Sequence, residues 1–164
     1  MHRSGLAHDG PLDYVEVVKD RFKAAARVGE LWDTAEREIL VLVRPPYIAP
    51  PDTSDASVPP GITQRAIYES SILEDPAMVA LLHRYAELGE QVRIVDRLPL
   101  KLTVIDGRSV AFNMDDPSAG TQSATTVVIH HPELAATLTL AFEALWAGAR
   151  ELPSEIRGGA RFEA

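Results

Sequence analysis

The sequence predicts an α/β domain, a layered mixed sheet flanked by helices. Three observations carry that prediction. Stretches with apolar residues at helical spacing alternate with short aliphatic runs of strand length. The run Glu38-Ile39-Leu40-Val41-Leu42-Val43 is apolar without alternation, which marks a strand buried on both faces. Asp106-Gly107 stands between two apolar runs and marks a tight hairpin, because both positions tolerate positive φ.

The elements follow in order. Residues 1–12 are expected to be loose. Residues 13–18 read either as a short strand or as the opening of a helix. Residues 19–37 read as a helix, with Phe22, Ala25, Ala26, Leu31, Trp32 and Ala35 as its apolar stripe and a bend expected at Gly29. The first strand, 38–43, stops at Arg44-Pro45-Pro46. Residues 49–61 hold four prolines among small polar residues and read as a loop. A second strand spans 62–69. Asp75-Pro76 opens a helix, with an acid as N-cap and proline in the first turn, and Gly89 ends it. Strands follow at 91–96, 100–105, 109–114 and 125–130, with a loop at 115–123. Pro132 opens a last helix to about residue 149, with Leu134, Leu138, Ala141, Phe142 and Leu145 toward the core and Trp146 near its end. A glycine-rich tail, 153–164, leaves residues 13–152 as one domain.

Composition limits the function. The chain has 164 residues, 46% of them hydrophobic, which suits a single globular core. There is no cysteine, which excludes disulfide frameworks, zinc–thiolate and iron–sulfur sites and a cysteine nucleophile. No cofactor or metal signature is present. The net charge is −8 and the arginines are interspersed with acids, so direct nucleic-acid binding by this chain is not expected. No apolar run approaches the ~18 residues of a membrane span, and residues 1–11 lack the apolar core of a signal peptide. A cytoplasmic location is expected.

The most informative stretch is Leu98-Pro99-Leu100-Lys101-Leu102-Thr103-Val104-Ile105-Asp106, followed by Gly107 and by Ala111-Phe112-Asn113. A lysine, four residues and an aspartate resemble the signature of the phospholipase D superfamily: histidine, any residue, lysine, four residues, aspartate, with an asparagine further on. Lys101, Asp106 and Asn113 match, and Pro99 stands where that signature has histidine. In the superfamily the histidine attacks phosphorus and a second copy supplies the acid. Proline offers neither a nucleophile nor a titratable group. The resemblance therefore implies a degenerate, non-catalytic phospholipase-D-like half.

Three further stretches, 14–18 with 35–47, 65–69 with 73–76, and 89–93 leading to 98–102, resemble in order and spacing the sensor domain of TrmB-type and LuxR-type transcriptional regulators. That resemblance implies a phospholipase-D-like regulatory domain, here without its own helix-turn-helix.

Open α/β sheets bind ligands beyond the carboxyl ends of their strands. Arg44, Tyr47, Arg65, Tyr68, Lys101, Asp106 and Asn113 are the candidate ligand-binding residues, with cations for an anionic effector and tyrosines for a sugar or aromatic face. The partners expected are a small-molecule or anionic effector and either a second copy or a DNA-binding regulator. The alternative is a homodimerisation module using the N-terminal helix with Trp32, or Trp146. A phosphodiesterase would need a nucleophile that the sequence does not offer.

Overall fold

The computed structural model describes residues 14–47, 57–115 and 124–154. The loose N-terminus 1–12, most of the loops at 49–61 and 115–123, and the tail beyond 154 lie outside the described residues.

Eight strands form one sheet in the order β1-β7-β6-β5-β2-β3-β4-β8. Their bounds are β1 Val15–Val18, β2 Glu38–Val43, β3 Thr63–Glu69, β4 Gln91–Val95, β5 Leu102–Ile105, β6 Ser109–Asp115, β7 Ala124–His130 and β8 Arg150–Glu151. Only β2–β3 and β3–β4 are parallel; the other pairs are antiparallel. Among the described residues three helices, α1 Arg21–Asp33, α2 Pro76–Glu87 and α3 Pro132–Gly148, and a 3-10 turn at Ser70–Glu74 cover the sheet. The layered α/β class expected from the sequence is the one observed.

Period-two alternation divides the core. Ile39, Val41, Ala66, Tyr68, Ile94 and Ile105 face α1, α2 and the 3-10 turn, which add Leu31, Leu82 and Ile72. Leu40, Leu42, Ile67, Leu102, Val104 and Val110 face α3, which adds Ala135 and Phe142. β2 is thus buried on both faces, as its continuous aliphatic run predicts.

Of the ambiguous stretch 13–18, Val15–Val18 is a strand: β1 pairs with β7, Val15 opposite Ile129 and Val18 opposite Thr126. α1 is shorter than the expected 19–37. Asp20 caps it, accepting from the amides of Phe22 at 2.8 Å and Lys23 at 3.0 Å. Thr34 closes it with a bond from its amide to the Leu31 carbonyl at 3.1 Å. It runs through Gly29 without a break. The buried stripe is Ala24, Val28, Leu31 and Trp32, whereas Phe22 is 77% exposed and Ala25 and Ala26 are exposed. Arg27 sets this rotation by gripping Glu16 of β1 through Nε and Nη2, both at 2.9 Å. α2 starts as predicted, with the Asp75 carboxylate accepting from the Ala77 amide at 2.9 Å. It ends before Gly89 (φ 110°), where a side chain would come within 3.2 Å of Val58 Cβ. His131 caps α3, and β8, two residues on the edge of β4, escapes any periodicity reading.

The Asp106-Gly107 turn has both residues at positive φ, 52° and 65°. Its aspartate does more than turn the chain. The carboxylate, 2% exposed, accepts backbone N–H bonds from Glu36 at 2.9 Å and from Arg37 and Glu38 at 2.8 Å. The Asp106 amide donates to the Glu38 carbonyl at 2.9 Å, and Arg37 Nη2 donates to the Asp106 carbonyl at 2.8 Å. Burial pushes this carboxyl up, but the amides of Glu38, Glu36 and Arg37 and the charge of Arg108 outweigh it and hold it below the ordinary carboxylate range.

A depressed carboxyl contributes stability above its unfolded pKa that is lost as pH falls through its folded value. Asp106→Asn removes the charge and turns an amide donor toward backbone donors. It is expected to cost about 2–4 kcal/mol at pH 7 in denaturant titration, and the gap to the native chain should shrink steadily below about pH 4. A gap that stays constant with pH would show that the carboxylate's charge is not what holds the turn.

Candidate functional site

β2, β3 and β4 run parallel, and their carboxyl ends define one end of the sheet. Arg44 follows β2 directly and Tyr47 stands three residues on. β5 runs against β2, Leu42 opposite Leu102, so Lys101 arrives at the same end. β6 returns beside it, and the Asn113 amide donates to the Lys101 carbonyl at 3.3 Å. Arg44, Tyr47, Lys101 and Asn113 thereby stand at the same end of the sheet.

Their side chains are held, each differently. Arg44 Nη1 donates to the Pro99 carbonyl at 3.0 Å, and its buried Nε has no hydrogen-bond partner among the described residues. Lys101 Nζ donates to the Pro46 carbonyl. Tyr47 Oη donates to the Glu69 carbonyl at 3.2 Å and lies 2.7 Å from Ser71 Oγ. Burial raises the Tyr47 phenol above 10, with the bond to Ser71 opposing, so it stays a neutral donor. Asn113 Oδ1 accepts from Thr126 Oγ1 at 3.0 Å. The Glu69 carboxylate accepts from the Leu98 amide at 2.8 Å and so fixes the start of the segment that carries Pro99 and Lys101. Two cations, an amide and a phenol thus stand at this end of the sheet, with Tyr47 bonded toward β3 and Asn113 toward β7.

The other three candidates stand elsewhere. Asp106 is at the opposite end of β5 from Lys101, about 16 Å away by strand rise, so the two cannot hold each other. Arg65 points beneath α3. Its Nη1 meets Glu143 at 2.5 Å and its Nη2 meets Glu38 at 3.4 Å, with the guanidinium 5.2 Å from the rings of both Phe142 and Trp146. Tyr68 is buried on the other face, where its hydroxyl donates to Glu90 Oε1 at 2.7 Å. Gln64 donates to the second oxygen of Glu90. The seven residues therefore do not form one site. An open cleft of about 400 Å³ near Asp106, lined by Arg37, Glu38, Gly107, Ala136 and Thr139, lies away from the Lys101 end.

Among the described residues two imidazoles, those of His130 and His131, are placed away from Lys101. His83 is on α2. His130 pairs with Ser109 at the far end of β7, four residues and roughly 13 Å beyond the Asn113–Thr126 pair. His131 caps α3. His2 and His8 lie outside the described residues. His130 is built into a chain that no sequence pattern signals: Ser109 Oγ is 3.0 Å from Nδ1, and Nε2 is 2.8 Å from Glu16 Oε2. The hydrogen bond from Arg27 is the chief cause that lowers the Glu16 carboxyl to about 2, with His130 adding to it against burial.

No protein-family model matches the sequence, and no curated protein matches it. Solved structures do. TrmBL2, an archaeal chromatin protein described as showing a novel mode of DNA binding, superposes with a TM-score of 0.65 at 18% identity. Nuc from Salmonella typhimurium, a phospholipase D family member, superposes at 0.61 and 19% identity over 85% of this chain and 98% of Nuc. The fold is phospholipase-D-like. NucT from Helicobacter pylori agrees, at 0.60 and 10% identity over 84% of this chain and 98% of NucT. The TrmBL2 match covers 90% of this chain but only 58% of TrmBL2, so the chain spans little more than half of that protein.

Within this phospholipase-D-like fold both tryptophans are partly buried. Trp32 packs against the core. Trp146 stacks on Phe142 with ring centroids 5.8 Å apart and is covered by Arg93, whose guanidinium is 4.3 Å from the indole and donates to the Trp146 carbonyl at 2.8 Å.

Glu90 is 7% exposed, and burial raises its carboxyl above the ordinary range despite bonds from Tyr68 and Gln64. A raised carboxyl costs stability progressively as pH climbs from its unfolded value through its folded one. Glu90→Gln should therefore gain on the native chain between pH 4 and 8, by on the order of 1 kcal/mol at the upper end. Parallel stability curves for the two proteins would show that the carboxylate carries no burial penalty.

Proposed function

We propose that this chain is a non-catalytic, effector-sensing domain of a transcriptional regulator of the TrmB and LuxR type, built on a degenerate phospholipase-D-like scaffold. The observation that carries the reading is Pro99. It occupies the position of the superfamily's histidine in the resemblance, two residues before Lys101, and His130 and His131 lie at the far end of β7. The signature's nucleophile is replaced while the lysine and the asparagine are kept. A scaffold with cations and no nucleophile suits recognition of an anionic effector.

The likeness to TrmBL2 supports a role in regulation. With a net charge of −8, DNA contact would fall to a partner or a further module, and the setting would be the cytoplasm. No described helix is long and apolar enough to cross a membrane.

A second reading, a pairing module, is favoured by β1. It is an edge strand, with Val15 40% and Val17 56% exposed. Light scattering separates the readings: a monomer at high concentration removes this one.

For the sensor reading, thermal unfolding across a panel of anionic metabolites should show a stabilising hit. At a hundredfold excess over Kd the gain is about 2.7 kcal/mol, and Lys101→Ala should abolish it. Turnover of a generic phosphodiester that disappears in Lys101→Ala would overturn the non-catalytic assignment.

A further inference from the structure

The two edges of the sheet are built differently. β8 offers two residues, Arg150 and Glu151, both exposed and oppositely charged, and Arg150 is held by Asp96 at 2.9 Å. Short, charged edges resist pairing. β1 is longer and carries Val15, 40% exposed, and Val17, 56% exposed, on one face. No proline, lysine or bulge interrupts Val15–Val18. Its one charge, Glu16, lies on the other face and is engaged within the chain, by Arg27 at 2.9 Å and His130 at 2.8 Å. Among the described residues only β7 pairs with β1, so the outer main-chain groups of β1 form an open template. We propose that two copies of this chain pair antiparallel along β1, about a two-fold axis through Val17, to make one continuous sheet. The inference deepens the pairing reading given second above and rests on it.

Geometry and charge select the register and the occupant. Opposed residues of an antiparallel pair are either both hydrogen-bonded or both not, and the two kinds alternate along the strand. A strand that pairs with its own copy therefore places a residue on the two-fold axis, never the gap between two residues. An axis at Glu16 sets two carboxylates opposite each other, and an axis at Val18 sets Glu16 opposite Asp20 of the second copy. Like charges so placed are destabilising. An axis at Val15 runs half of β1 past the start of the other strand. An axis at Val17 opposes Val17 to itself, Glu16 to Val18 and Val15 to Lys19, with no like charges facing. α1 agrees with that choice. Arg27 reaches Glu16, beside the axis, and the exposed Lys23 and Glu30 stand one turn before and after Arg27 on the same side of the helix. The axis of an antiparallel pair stands perpendicular to the sheet. It keeps both α1 helices on one face and runs them in opposite directions, so Lys23 of each copy faces Glu30 of the other. That charge complementarity across the seam belongs to a second copy and not to an unrelated strand.

The test uses the intact chain, which has no cysteine of its own. Sedimentation is expected to show a dimer. Val17→Cys should cross-link under mild oxidation, because opposed residues of antiparallel strands stand within disulfide reach. Leu140→Cys, at a position 73% exposed on α3, should not. Val17→Lys should keep the thermal transition of the fold and run as a monomer at concentrations where the native chain is a dimer. Lys23→Glu should weaken the dimer about tenfold, and Glu30→Lys added to it should restore the native affinity. If the native chain is a dimer, yet Val17→Lys leaves it intact and Val17→Cys does not cross-link, another surface joins the copies: the pairing reading stands and this inference fails. A native chain that stays monomeric at high concentration removes both, and leaves the edge of β1 to a strand of a different protein.

Discussion

One buried carboxylate sets the layout. Asp106 collects the amides of Glu36, Arg37 and Glu38 at the point where α1 has ended and β2 begins. These are donors that no helix or ladder bond supplies, and leaving them buried and unpaired would cost more than any single contact nearby gains. The same grip pins the end of β5 to the start of β2, so that Ile39 faces Ile105 and the pairing runs on to Leu42 and Leu102. A slip by one residue would turn Leu40 and Val104 out of one core and into the other. Register fixed at this end decides what meets at the other: Arg44 and Lys101 emerge side by side because Asp106 has counted the residues between.

The sheet then divides the charged residues by task. Arg65 and Arg93 stay under or beside α3, where aromatic rings and helix carboxylate or carbonyl groups absorb them. Their planar guanidinium groups stack as an ammonium could not. Arg27 ties α1 to the edge strand through Glu16, and His130 extends that tie to Ser109. Arg44 and Arg37 instead donate to main-chain oxygens, of Pro99 and of Asp106, and so tie separate segments of backbone together.

Much of this was legible in the sequence, for physical reasons. Glu38–Val43 announces a doubly buried strand because helices cover both its faces, and Asp-Gly announces its turn because positive φ admits few residues. Asp75-Pro76 sets its helix start through purely local bonds. What was hidden is non-local. The amides that Asp106 grips lie 68 to 70 positions earlier, so the motif reads as a ligand residue when it is a clamp. The stripe of α1 was misphased because Phe22 looks like core, whereas a contact eleven residues back, Glu16 to Arg27, decides which side turns inward. Of the seven site candidates, Arg44, Tyr47, Lys101 and Asn113 stand at the end of the sheet to which the rule for open sheets points. Arg65 and Tyr68, inside β3, were assigned without knowing which face each would take.

The first and last strands lie on opposite flanks. β1 borders one side and β8 the other, with six strands between them. Seven interstrand spacings come to roughly 33 Å. A module fused ahead of β1 and another fused behind β8 would be carried well apart, on separate shoulders of the same rigid slab. Such heads would leave the slab about that width apart, and their linkers would set whether they meet or grip a partner at two points.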